Sequence, residues 1–260
     1  MHEYSTISVQ MDGRGVVSLC LNRAEKKNAL SAVMIDELNH FASNLPNGAR
    51  VVVLSGAGDV FCAGGDLGWM KAQIIANRET RVSEARKLAM MLNALNELDA
   101  PLIGRVHGGD FGGGIGLCCV CDSVIAEHDT KFGLTETRLG LIPATISPYV
   151  IARMGEGRAR RVFMSARIFA ADEACQLGIV SGVETSDGLD ARIEAEIAPY
   201  LSVAQNAVSA SKRLARALGP QITLEIIDMT IQSLADTWEG EEAAHGISAF
   251  LSKSKARWMS

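Results

Sequence analysis

The chain has no surplus of positive charge: its 260 residues carry 25 Lys and Arg against 30 Asp and Glu, a formal net charge of -5. Without a basic field to attract a phosphate backbone, nucleic acid is not an expected partner. No uninterrupted apolar run approaches membrane-spanning length, so a membrane is not expected either. Met1 to Gln10 has neither a charged n-region nor an apolar h-region, and a cytoplasmic location is expected.

Paired cysteines are lacking as well. Cys20, Cys62, Cys118, Cys119, Cys121 and Cys175 lie mostly inside apolar runs, without the spacing of a zinc site. They read as reduced packing residues, and no metal is expected. The first strand is not followed by a well-matched GxGxxG, and GxxxxGK(S/T) is absent, which disfavours a dinucleotide or phosphate loop.

What is present is enough apolar material, 48% of residues, for a substantial core in one large domain or in a domain plus an appendage. Gly15 to Leu21, Arg50 to Leu54 and Leu102 to Val106 read as buried strands. Between the first two, Met34, Leu38, Phe41, Ala42 and Leu45 recur at helical spacing after a cap at Ser31. Arg78 to Leu98 is a longer helical segment closed by Pro101. Alternation of this kind predicts an α/β fold with crossover connections. From Asp190 onward strand signals fade, and Val203 to Leu218, Ile222 to Trp238 and Glu241 to Lys253 read as successive helices. Residues 1–195 are therefore taken as the core and 196–260 as a helical C-terminal region. Its apolar helices cap the core or join subunits.

Two turns are rich in glycine. Gly56 to Leu67 follows a strand, and so does His107 to Gly116, which leads into an apolar helix at Leu117 to Cys121. Glycine lets a ligand approach the backbone, and a helix start offers unpaired N–H groups. Two such turns can converge on one oxygen, or merely reverse the chain.

The segments Asn22 to Leu30, Phe61 to Leu67, Phe111 to Gly114 with Asp122, and Phe132 to Pro143, followed by Ala249-Phe250, resemble the successive signatures of the crotonase superfamily, the enoyl-CoA hydratase/isomerase family. The resemblance implies a spiral of ββα units with a helical C-terminal region that trimerises, as a homotrimer or a dimer of trimers. It implies an acyl-CoA thioester substrate and no separate cofactor, coenzyme A being part of the substrate. By the same resemblance the N–H groups of Gly65 and Gly113 form an oxyanion hole, Ala63 and Leu67 lie along the coenzyme A, and Asp66 and Gly68 beside them are substrate-binding candidates. Lys26, Lys27, Lys253 and Phe250 are further substrate-binding candidates.

Hydratases of this family generally use two glutamates. The later one is Glu136 here, but the earlier position holds Gly116, which can neither orient water nor exchange a proton. Glu136 is the expected acid/base. Asp110 stands as a candidate second carboxylate or a turn cap, and His107 as a structural donor. A lone glutamate also suits a 3-enoyl to 2-enoyl isomerase. Gly65 to Met70 and Leu139 to Val150 resemble the bacterial 3-methylglutaconyl-CoA hydratases, in which glycine commonly replaces the first glutamate. That substrate carries a distal carboxylate, for which Lys71, Arg78 and Arg138 are candidate partners. A non-catalytic coenzyme A-binding or RNA-binding protein is the third reading, opposed by the acidic charge and by Glu136.

Overall fold

A computed structural model describes residues 3–259. Nine strands are found among them: β1 (Ile7–Met11), β2 (Val16–Leu21), β3 (Val51–Gly56), β4 (Leu102–Val106), β5 (Gly109–Phe111), β6 (Ser123–Glu127), β7 (Lys131–Gly133), β8 (Ile168–Ala170) and β9 (Gly182–Glu184). A six-stranded sheet runs β1-β2-β3-β4-β6-β9 and a three-stranded sheet runs β5-β7-β8. Only the β1–β2 pair in the large sheet is antiparallel. Its interior strands are covered on both faces, which is why Val51 to Leu54 is an unbroken apolar run and not an alternating one.

Eleven helices connect and cover the sheets: α1 (Ala32–Ser43), α2 (Leu67–Ile75), α3 (Arg78–Asn96), α4 (Gly113–Val120), α5 (Ser147–Met154), α6 (Glu156–Phe163), α7 (Ala171–Leu177), α8 (Leu189–Ile197), α9 (Gln205–Leu218), α10 (Leu224–Glu239) and α11 (Glu241–Leu251). Ser31 caps α1 as expected, accepting from Met34 N at 3.2 Å. Two consecutive strand pairs, β4–β5 and β6–β7, each leave one strand in the large sheet and one in the small sheet. Each pair then leads to a helix or helical turn, and this repeat brings the ends of β3, β5 and β7 to one place.

The last three helices match the expected segments closely. The last two, α10 and α11, do not stand apart from the rest: Ile227, Ile231, Leu234 and Trp238 of α10 and Ile247 of α11 form one apolar cluster with Met70, Ala85, Ala89, Leu141 and Ala144. Helices α10 and α11 thus roof the space beside the glycine turns. The helix after the second turn begins at Gly113, earlier than the expected Leu117.

Candidate active site

The two glycine-rich turns meet at one wall of a cavity of about 470 Å³. They are stitched together by the backbone: Cys62 N donates to Gly109 O at 3.2 Å, Phe111 N to Cys62 O at 3.0 Å and Phe61 N to His107 O at 3.0 Å. His107 Nε2 meets Gly58 O at 2.7 Å, which makes its role structural. On its other side the first turn is tied to the segment before α1, through Ala63 N to Lys27 O and Leu30 N to Gly64 O. Gly64 and Gly112 have φ of 91° and 51°, a region that strongly favours glycine. A Cβ on Gly64 would stand 3.0 Å from Phe111 O, so the two turns touch through bare backbone.

Gly65 and Gly113 both line the cavity. Among the described residues, neither N–H has a backbone or side-chain acceptor. For Gly113 the reason is local, since it opens α4 and the first N–H groups of a helix have no partner within it. The site therefore offers two unspent donors, one of them backed by the positive end of a helix.

Glu136 faces the same cavity from a 3-10 turn, Glu136–Leu139. Its Oε1 is 3.1 Å from where a Cβ on Gly112 would be, and its Oε2 is buried with no hydrogen-bond partner. Burial pushes this carboxyl up to about 7. Helix α11 buttresses the turn from behind: a Cβ on Gly246 would lie 2.6 Å from Leu139 O, and one on Gly140 2.5 Å from Glu242 O. The remaining lining is largely apolar and includes Trp69, Met70, Leu88, Leu141, Ile146, Leu234 and Trp238. These residues carry no site signal in the sequence, because an apolar side chain facing a cavity has the same periodicity as one facing the core.

Ala63, Leu67, Lys26, Lys27 and Phe250 also line the cavity. Asp66 and Gly68 do not. Asp66 caps α2, accepting from Gly68 N at 2.8 Å and Trp69 N at 3.1 Å, and pairs with Arg23 at 3.1 Å. Lys253 is exposed and outside the lining. Asp110 is fully buried and lies behind the second turn, against α4, so it does not reach the cavity as a second carboxylate.

The place of the usual first glutamate is closed. Gly116 is buried in α4, and a Cβ there would stand 2.6 Å from Ile146 Cγ2 and 3.5 Å from Leu92 Cδ1. Restoring the carboxylate alone is therefore expected to fail. We expect Gly116→Glu to lower stability by about 3 kcal/mol or more, from overpacking and an unpaired buried charge. Urea unfolding measures this, and Gly116→Glu combined with Ile146→Ala is expected to recover part of the loss. An unchanged midpoint for the single variant would show that the space is not closed.

The sequence profile of the family described as Enoyl-CoA hydratase/isomerase matches residues 12–260. The chain is 28% identical to the short-chain-enoyl-CoA hydratase of Clostridium acetobutylicum over 262 residues, covering 97% of each. It is 31% identical to the mitochondrial methylglutaconyl-CoA hydratase of Mus musculus over 179 residues, 67% of this chain and 56% of that protein. A crystal structure of an enoyl-CoA hydratase from Shewanella pealeana superposes with a TM-score of 0.80 at 34% identity, covering 98% of this chain and 97% of that one.

Proposed function

The chain belongs to the enoyl-CoA hydratase/isomerase family and has the crotonase fold, and from that premise we propose that it hydrates a 2-enoyl-CoA with Glu136 as its only acid/base. The observation that carries this reading is the position of one buried carboxyl beside two backbone N–H groups that have no other acceptor. In the proposed reaction the thioester oxygen sits between the N–H groups of Gly65 and Gly113. Ionised Glu136 takes a proton from water as the water oxygen bonds to the β carbon. The double-bond electrons move toward the thioester, and the two donors stabilise the enolate oxygen. Glu136 then returns the proton to the α carbon, so both hydrogens of the water end on the product. No metal or redox cofactor is required by this scheme.

A second reading is favoured by Gly116 and Ile146. With no second carboxylate to hold water, Glu136 alone can remove a proton from a 3-enoyl-CoA and return it two carbons away, giving the 2-enoyl isomer. Labelled solvent separates the two reactions, because only hydration brings solvent oxygen into the product.

The finer reading, 3-methylglutaconyl-CoA as substrate, draws on the local resemblance and on the mouse relative. The apolar lining speaks for a neutral acyl group instead. Lys71, Arg78 and Arg138 are all outside the cavity wall, and Arg78 is bound to Asp236 and Glu239. Arg81 lies over Trp238 but donates to the carbonyls of Gln73 and Ile74. The cations that do line the cavity, Lys26 and Lys27, are exposed and adjoin Ala63, which suits the phosphates of coenzyme A. A distal carboxylate would be buried without a partner, so kcat/KM for crotonyl-CoA should exceed that for 3-methylglutaconyl-CoA by about a hundredfold. Loss of enoyl absorbance with each thioester measures this, and the reverse preference would overturn the neutral-acyl reading. Assembly through the exposed apolar residues Leu214, Leu218, Leu224 and Met229 belongs to the same proposal, and the mass in solution tests it.

A further inference from the structure

Asp110 is fully buried two residues before Gly112, yet it turns away from the cavity. Its Oδ2 accepts the thiol hydrogen of Cys118 at 3.0 Å, and its Oδ1 has no partner among the described residues. A Cβ on Gly114 would stand 2.0 Å from Oδ1 and 2.8 Å from Cys62 Cβ. The carboxyl therefore lies along the first two turns of α4, at Gly114 and Cys118, beside the helix whose first residue, Gly113, lines the cavity. The titratable groups that face it are thiols: Cys62 from the first glycine turn, and Cys118 and Cys119 from α4. In β7, the strand paired with β5, the residue opposite it is Phe132.

We infer that the Asp110–Cys118 pair is a protonation switch behind the second glycine turn, with Asp110 a positioning residue that acts through the Gly113 N–H. When neutral, the carboxyl leaves the positive end of α4 free to meet charge developing on a thioester oxygen. When ionised, it takes up that field at the start of α4 and repels the enolate through the protein interior. Burial without a cation pushes Asp110 up to about 8, so it is neutral at pH 7 and ionises about a unit higher. Burial holds the Cys118 thiol well above its ordinary range, and it stays a donor throughout. The consequence is a loss of turnover at alkaline pH, separate from the acid limb set by Glu136.

The switch rests on the proposed role of Gly113, and the test separates the two ideas. The pH profile of kcat is measured for the wild type, Asp110→Asn and Cys118→Ala, each normalised to its own value near pH 7.5. The absorbance of enolate formed from bound acetoacetyl-CoA is followed over the same range. We expect the wild type to lose about tenfold in kcat by about pH 9.5, and Asp110→Asn, neutral at every pH, to lose less than about twofold. In Cys118→Ala the carboxylate loses its donor, so the limb should move to higher pH. The enolate signal should follow the same pattern. An alkaline limb unchanged in Asp110→Asn overturns the switch while leaving the donor role of Gly113 intact. A wild type that binds acetoacetyl-CoA without forming enolate at any pH overturns the role of Gly113, and the switch with it. Should Asp110→Asn not fold, an unmoved limb in Cys118→Ala overturns the switch on its own.

Discussion

Glu136→Gln is expected to lower kcat for a 2-enoyl-CoA by about a thousandfold while KM stays within a few-fold, the effect of removing an acid/base that substrate binding does not need. Glutamine keeps the shape and size of the side chain, so the cavity wall formed by Ile146, Leu141 and Trp238 stays in place. What is lost is the proton acceptor. The pH dependence has a definite sign. Glu136 must be ionised to accept a proton from water, and burial pushes it up to about 7, so turnover rises as the pH is raised through that value. The upward push comes from burial, opposed in part by a hydrogen bond from the residue's own backbone N–H, and no cation contributes. Steady-state kinetics across that range check both points, and a variant with unchanged kcat would place the proton transfer elsewhere.

The second large effect concerns the backbone. Replacing Gly113 by glycolate exchanges its N–H for an ester oxygen without adding a side chain, and is expected to lower kcat by about a hundredfold to a thousandfold. The same exchange at Gly114, which does not line the cavity, should cost much less. Gly65→Ala is the complementary control: the nearest atoms to its added Cβ are those of Met70, at 3.9 and 4.0 Å, so the side chain fits and the N–H remains. Activity there should stay within about threefold of the wild type, because the stabilising group is main chain. A strong defect in Gly65→Ala together with a weak one at Gly113 would contradict the two-donor arrangement.

The parts of the site legible in the sequence were those with a strong local cause. Gly64 and Gly112 occupy left-handed backbone, and such positions mark themselves by residue type. The strands at Val16–Leu21, Val51–Gly56 and Leu102–Val106 show in the sequence as short, buried apolar runs rich in Val and Leu. Other parts left no local trace. Strands β5, β7 and β8 have three residues each, too few to show a period. Helix α4 begins at Gly113-Gly114, where helix propensity is poor and tertiary packing decides, so the apolar pattern marks only its continuation from Leu117. The orientation of Asp110 depends on β5 pairing with β7 and on the closeness of Gly114, neither of which a sequence pattern encodes. Likewise, Gly116 revealed a missing carboxylate, but only the fold shows Ile146 filling its place.

Water addition by one carboxylate is tested by turnover of a 2-enoyl-CoA in oxygen-labelled water with mass analysis of the product. The expected product is a 3-hydroxyacyl-CoA carrying solvent oxygen on its β carbon, formed by the wild type and almost lost in Glu136→Gln. A 3-enoyl-CoA converted to its 2-enoyl isomer with no label, and no hydration of either thioester, would contradict it.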